Sequence, residues 1–371
     1  MMDCNRHVAL YLPSLRGGGA EQVMVNLANG FAKRGIRTDL VLAKAEGPYL
    51  GSVSGSVNII DLHSRRVLTS LPALVFYLRK VRPDVMLATV GHANVIAIMA
   101  RVLSGTRHQV RLVVRETTTV GINASEAPTW RGRVMPLVLR FFYPMADAII
   151  ANSMGAAKNL SIQTGIPEDR ILIIGNPVDI GRIRKLSMEP LAGVPKIDAG
   201  PVIVSVGRLA QEKDFETLLY AFKAVHDAMP DVRLLILGEG ELRQKLETLA
   251  SDFGIADRVA LPGFLSNPYP VMKHADLFVL SSRWEGLPNA LLEALALGVP
   301  IVATNCPSGP AEILEDGKYG KLVTVGDTQA MADAIVGALG NSPDMDILIK
   351  RAEDFSVDKI VDQYLKLIFP G

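Results

Sequence analysis

Short runs of aliphatic and β-branched residues alternate along this chain with stretches whose apolar positions recur every three to four residues. Nine of the runs read as strands: residues 7–12, 38–43, 84–89, 110–114, 147–151, 202–206, 232–237, 277–280 and 300–303. Helical stretches such as 22–34 and 215–228 fall between them. Strands apolar at consecutive positions belong in a parallel sheet covered on both faces, and strand–helix alternation is the βαβ rhythm that builds one. The rhythm runs through both halves. Between them, residues 176–200 hold Pro177, Gly181, Pro190, Gly193, Pro195 and Gly200 with little periodicity, as a connection would. At 371 residues the chain is long enough for two cores. The expected architecture is α/β, with two doubly wound, Rossmann-like domains facing a central cleft. Groups that follow strands should converge there.

The clearest such groups lie in 281–303, where a polar loop follows a strand, an Ala- and Leu-rich helix comes next, and Gly298, Val299 and Pro300 lead into another strand. Two carboxylates, Glu285 and Glu293, stand eight residues apart, the first ahead of the helix and the second inside it. An acid in an apolar helix is costly unless something pairs with it. The free N–H groups at a helix start also bind phosphate well. The order suits one extended ligand of sugar, diphosphate and ribose; the plain alternative is a surface loop acid and a solvated helix acid. Paired acids also serve glycosidases. Retaining hydrolases, however, hold their carboxyls about 5–5.5 Å apart, whereas eight helical residues rise about 12 Å.

The wording around these acids, E-x7-E, resembles the signature of glycosyltransferase family 4, the retaining, nucleotide-sugar-dependent enzymes of the GT-B fold. Other motifs fall in that family's order and spacing: Gly17-Gly18-Gly19-Ala20-Glu21, Gly175-Asn176-Pro177-Val178-Asp179, Val206-Gly207-Arg208-Leu209 with Glu212-Lys213-Asp214-Phe215, Leu237-Gly238-Glu239-Gly240, and Pro262-Gly263-Phe264. The resemblance spans residues 7–368. The wording from Cys306 to Ile313 is similar to the branch that builds bacterial cell-surface glycans: lipopolysaccharide core sugars, O-antigens and lipid-linked oligosaccharides.

The resemblance implies an acceptor-binding domain over 1–178, a nucleotide-sugar-binding domain over 179–354, and a C-terminal helix within 355–371 that packs back on the first. It implies transfer of a sugar, of hexosyl type, from a UDP-linked donor to a hydroxyl of a glycan or lipid-linked acceptor. Arg208 and Lys213, just beyond the strand 202–206, would neutralise the departing diphosphate, and Glu285 would contact the sugar hydroxyls. His92, after the strand 84–89, matches a family histidine near the sugar's C6 hydroxyl; a structural histidine in a loop is the other reading. Gly17, Gly18, Gly207, Gly238, Gly286 and Leu287 would line the donor, Glu293 would accept from the ribose hydroxyls, and Gly263, Phe264 and Leu265 would meet the base. Arg115 and Glu116 are candidates for the acceptor, or else a surface ion pair. No cofactor is expected, since the nucleotide sugar is a substrate, and no metal. The one D-x-D triplet, Asp344-Met345-Asp346, follows Pro343 with no strand before it and reads as a helix start. A nucleotide-sugar 2-epimerase of the same architecture and a non-catalytic sugar-binding protein are the rival functions.

Composition adds three points. The content, 49% hydrophobic and 21% charged, is that of a folded protein. The two cysteines, Cys4 and Cys306, form no metal or disulfide pattern, and no signal peptide is visible; a reducing, cytoplasmic setting is expected. The net charge of +1 hides an asymmetry: residues 1–178 hold 20 Lys and Arg against 11 Asp and Glu, residues 179–371 hold 19 against 27. A basic first half suits an anionic surface or lipid-linked phosphate, and nothing resembles a nucleic-acid-reading motif. Residues 64–82 and 129–145 mix basic with apolar side chains, which suits either peripheral attachment to the inner face of the cytoplasmic membrane or apolar faces buried in the core. Residues 85–100 are too short and polar for a membrane span.

Overall fold

All nine expected strands form within two residues of their expected bounds in the computed structural model, which describes residues 6–117, 130–194, 200–341 and 344–370. The chain divides into two compact units. Unit 1 runs to Pro177 and includes the C-terminal segment from Val357; unit 2 is Val178–Ser356.

Unit 1 is built on a seven-stranded sheet of β1 (His7–Leu12), β2 (Arg37–Leu42), β3 (Asn58–Asp61), β4 (Val85–Thr89), β5 (Arg111–Glu116), β6 (Ala148–Ala151) and β7 (Ile171–Ile173), in the order β3-β2-β1-β4-β5-β6-β7. Every pairing is parallel. Because successive side chains of a strand point to opposite faces, each strand feeds two cores. Ala9 and Tyr11 of β1 join one apolar cluster with Met86 and Ala88 of β4, and Val8, Leu10 and Leu12 join the other with Val85 and Leu87. The helices Leu71–Val81 and Gly91–Ser104 cover the first face. The helices Gly19–Lys33 and Val357–Ile368 cover the second.

The last helix docks by an i, i+3, i+4 stripe, with Ile360, Val361, Tyr364, Leu365 and Ile368 buried. Its partner helix meets it at Gly30, where an added Cβ would lie 2.5 Å from Val361 Cγ2 and 2.8 Å from Val357 Cγ1. Only glycine lets the two helices approach this closely.

Unit 2 repeats the plan with six parallel strands, β8 (Val202–Val206), β9 (Arg233–Leu237), β10 (Val259–Gly263), β11 (Leu277–Leu280), β12 (Ile301–Thr304) and β13 (Lys321–Val323), in the order β10-β9-β8-β11-β12-β13. Val202 and Val204 of β8 face a core with the helix Asn289–Leu297, and Ile203 faces one with the helix Phe215–Ala228. The expected irregular connection is in part ordered, since Ile180–Leu186 is a helix whose first turn is capped by the Asp179 carboxylate accepting from Arg182 N. The Asp344–Asp346 triplet is also a cap: Asp344 opens the helix Met345–Ala352 by accepting from Asp346 N at 2.9 Å. Residues 85–100 form β4, a turn and most of the helix Gly91–Ser104. Among the described residues no helix is long and apolar enough to cross a membrane.

Candidate active site

In each unit the strand order reverses direction once, between β1 and β4 in unit 1 and between β8 and β11 in unit 2. At such a point the loops leaving two neighbouring strands diverge, and a crevice opens beyond their carboxyl ends. Gly17 and Gly18, His92, Gly207, Arg208 and Lys213, and Glu285, Gly286 and Leu287 follow these four strands; Gly238, Gly263, Phe264 and Leu265 lie at the ends of β9 and β10, Glu293 is inside a helix, and Arg115 and Glu116 are in β5.

In unit 2, Lys213 comes from the loop after β8 and Glu285 from the loop after β11. The Lys213 ammonium donates to Glu285 Oε1 at 2.6 Å, and Ser282 Oγ donates to the same oxygen at 2.7 Å. The side chains keep only 18% and 11% of their surface in water. Further bonds join the two loops. Ser281 Oγ donates to Lys213 O at 2.7 Å, Arg283 N donates to Glu212 O at 2.8 Å, and Arg283 Nε lies 3.1 Å from Asp214 Oδ2. Asp214 has φ of 47°, a left-handed turn that Asp tolerates, and caps the helix Phe215–Ala228. Thus Lys213 is fixed at both its backbone and its ammonium. Arg208 is exposed and paired with Glu212, which raises its pKa. Both expected leaving-group cations are therefore held by carboxylates.

Glycines let the backbone crowd this crevice. Gly238, at φ 145°, follows β9 and donates to Gly263 O at 2.9 Å; any Cβ there would collide with Gly207 O. The Lys213 stem lies across Gly207, 3.2 Å from where a Cβ would be. Phe264 is exposed and Leu265 half-buried just beyond β10. Gly286 and Leu287 are buried in the turn before the helix Asn289–Leu297, which holds Glu293. Since that helix begins at Asn289, only the second half of the interval from Glu285 to Glu293 rises as helix, a correction to the spacing argument. Cys306 lies buried near the pair; burial first, and then the Glu285 charge, push its thiol up to about 12. Such a shift favours the neutral thiol over the nucleophilic thiolate.

In unit 1, Gly17 (φ 118°) and Gly18 stand between β1 and the helix Gly19–Lys33, and the Glu21 carboxylate folds back into the space a Gly18 side chain would take. His92 lies in the first turn of the helix Gly91–Ser104, with its surface open to solvent, and partial desolvation lowers its pKa from the usual 6.5. Before it, Val90 has φ of 74°, a costly conformation for a β-branched residue that persists only when the surroundings impose it.

Arg115 and Glu116 differ from expectation. They are neither exposed to an acceptor nor a surface ion pair, because β5 runs on to Glu116 and carries both into the interior, with 0% and 2% of their surface exposed. Arg115 donates to Tyr364 Oη at 3.0 Å and to Asn176 Oδ1. Glu116 Oε2 accepts from Tyr143 Oη at 2.6 Å and lies beside Gly91 at the start of the His92 helix, where a carboxylate suits the helix dipole. Residue pattern did not mark Ser282, Arg283 and Glu212 as partners of the site: Ser282 bonds Glu285 within its own loop, Arg283 reaches Glu212 and Asp214 on the opposite loop, and Glu212 pairs with Arg208. Only their nearness to Glu285 and Lys213 in the chain marked them.

A profile described as Glycosyltransferase Family 4 matches residues 17–182, and one described as Glycosyl transferases group 1 matches residues 200–341. An uncharacterized glycosyltransferase of Methanocaldococcus jannaschii is 30% identical over 276 residues, covering 64% of this chain and 67% of that protein. The lipopolysaccharide core biosynthesis glycosyltransferase LpsE of Rhizobium meliloti is 29% identical over 369 residues, covering 95% and 96%. A Campylobacter jejuni N-acetylgalactosaminyltransferase, whose name gives a diphospho-undecaprenol-linked saccharide as its substrate, is 31% identical over 253 residues, covering 68% and 66%. Among solved structures, Anabaena HepE in complex with UDP and glucose matches the fold with a TM-score of 0.79 at 20% identity, over 99% of this chain and 100% of that one.

Proposed function

The chain belongs to glycosyltransferase family 4, in the branch that makes bacterial cell-surface glycans, and has the GT-B fold; from this premise we propose that it transfers a hexosyl group, with retention, from a UDP-sugar to a hydroxyl of a glycan or lipid-linked acceptor. The observation that carries the reading is the Lys213–Glu285 pair of 2.6 Å at the switch point of unit 2, with Arg208 on the same loop as Lys213. Diphosphate and sugar are the ligand that this cation–carboxylate arrangement suits. A bound diphosphate takes over the charges of Lys213 and Arg208, which leaves the Glu285 carboxylate to accept from sugar hydroxyls. Backbone N–H groups at Gly286 and Leu287 add donors; Pro288 has none. The names of the relatives favour a lipopolysaccharide or lipid-linked acceptor, and the fold neighbour's UDP favours uridine.

Retention then follows from front-face attack. The acceptor hydroxyl approaches on the side that the diphosphate leaves, its proton passes to the departing phosphate oxygen, and Arg208 and Lys213 stabilise the charge that develops there. No divalent metal is required, because the two cations offset the charge of the diphosphate. His92 binds the sugar at the end away from the phosphates. Unit 2 is the donor domain and unit 1 the acceptor domain. Exposed Leu68, Phe76, Leu137 and Phe141, near Arg79, Lys80 and Arg140, support attachment of unit 1 to an anionic bilayer. Equal recovery in soluble and vesicle fractions at low salt would argue against that attachment.

Thermal stabilisation by UDP, GDP, ADP and their sugar conjugates, with and without EDTA, tests the donor site. A selective shift by a uridine diphosphate that EDTA does not change is the expected result. Nucleotide-sugar turnover without acceptor would mark an epimerase instead. The absence of any shift would move a non-catalytic sugar-binding role to the front.

A further inference from the structure

Within unit 2 the Tyr269 hydroxyl donates a hydrogen bond of 3.1 Å to Glu293 Oε1. The partners come from different elements, since Tyr269 opens the short helix Tyr269–His274 and Glu293 sits inside the helix Asn289–Leu297. Both are buried, and Leu291, Leu292, Ala294 and Leu295 around Glu293 on its helix are buried aliphatics. A carboxylate in such surroundings loses solvation in most of its rotamers, so a donor held at one place selects one of them. Tyr269 is suited to that task. Its ring is packed in the same apolar cluster as Leu291 and Leu292, and its hydroxyl makes a charge-assisted bond to a carboxylate. An ionised carboxylate has about four acceptor sites, so the bond from Tyr269 does not by itself exhaust them. The segment that carries Tyr269 starts at Phe264 and Leu265, the residues expected at the base, and Asn267 Oδ1 accepts from Tyr269 N at 3.3 Å. The base-side loop and the ribose-side acid thus share one anchor.

We propose that Tyr269 is the positioning residue for Glu293 and, through it, sets the preference of the donor site for ribonucleotides over deoxyribonucleotides. This rests on the reading of Glu293 as the ribose-binding acid. The test measures binding of UDP, 2′-deoxy-UDP and 3′-deoxy-UDP to wild type, Tyr269→Phe and Glu293→Gln, together with KM and kcat for the UDP-sugar. If wild type answers to GDP, the guanosine set is used. Tyr269→Phe is expected to weaken UDP by about tenfold or more, the usual size of a lost hydrogen bond to a charged group, and to leave the deoxy analogues nearly unchanged. KM rises by the same factor while kcat at saturating donor stays within about twofold. Loss of packing alone would weaken all three nucleotides equally, and the ratio between them does not depend on the fraction of folded protein. Equal weakening, or no change in the ratio, overturns the role of Tyr269; if Glu293→Gln then still abolishes the preference, the ribose reading of Glu293 stands. If Glu293→Gln keeps the preference, or wild type has none, both fall.

Discussion

Arg115 Nε donates a 3.0 Å hydrogen bond to the Tyr364 hydroxyl, which ties the last helix of the chain to an interior strand of the first sheet. The same guanidinium holds Asn176, next to Pro177 where unit 1 ends for the first time. One buried cation thus secures the chain both near its exit from unit 1 and after its return. Replacing Arg115 by Met removes the hydrogen bonds it donates to Tyr364 and Asn176 in the interior, and the expected cost is about 2–4 kcal/mol. Urea denaturation followed by circular dichroism reads it. An unchanged midpoint would show that the guanidinium contributes nothing to folding.

Lys213→Ala is expected to lower kcat by about a hundred- to a thousandfold, the size typical of removing one group that stabilises developing charge. The far-UV spectrum should be that of the wild type, because the Lys213 main-chain bond with Ser281 remains. Near-normal turnover in a folded variant would sink the leaving-group role.

Glu212 pairs with Arg208, so under the proposed function it competes with the donor diphosphate for that guanidinium. An i,i+4 pair with an exposed arginine is worth only about 0.3–0.5 kcal/mol, so Glu212→Gln should tighten UDP about twofold. Calorimetric titration at low salt measures it, and the gain should shrink as added salt screens the pair. Weaker binding would mean that Glu212 orients Arg208 instead of competing for it.

The folded state lowers the pKa of His92 from 6.5 through desolvation. As pH falls below about 6.5 the unfolded chain takes up this proton first. The contribution is therefore unimpaired above that pH and is lost as pH falls toward the folded value. Unfolding free energies between pH 7.5 and 5 should decline more steeply for wild type than for His92→Asn. Equal slopes would contradict a desolvated imidazole.

The two-unit α/β plan, nine strands and the loops with Arg208, Lys213 and Glu285 were legible in the sequence, because a strand buried on both faces leaves a short, near-continuous apolar run and such runs alternate here with helical patterns. The four strands that were not legible, β3, β7, β10 and β13, are the four sheet edges. An edge strand has one neighbour and a partly wet face, so its composition is mixed; β7 reads buried, exposed, exposed.

Arg115 and Glu116 were misread for a related reason. Their strand was expected to end at Val114, where the apolar run stops, but its pairing with β4 and β6 continues through Arg115, and with β6 to Glu116. Polar residues can extend a strand when partners await them, and those partners, Tyr143, Asn176 and Tyr364, come from distant parts of the chain. The same holds at the active site. Local pattern marked Lys213 and Glu285 separately, by residue type after a strand. The sheet's reversal between β8 and β11 brought them to 2.6 Å across 72 residues, and helix packing set the Tyr269 hydroxyl against Glu293. Burial along a strand or helix is written in the order of residues, because it repeats with the period of the element. Which charges meet is not, because it depends on strand order and packing between elements far apart in the chain.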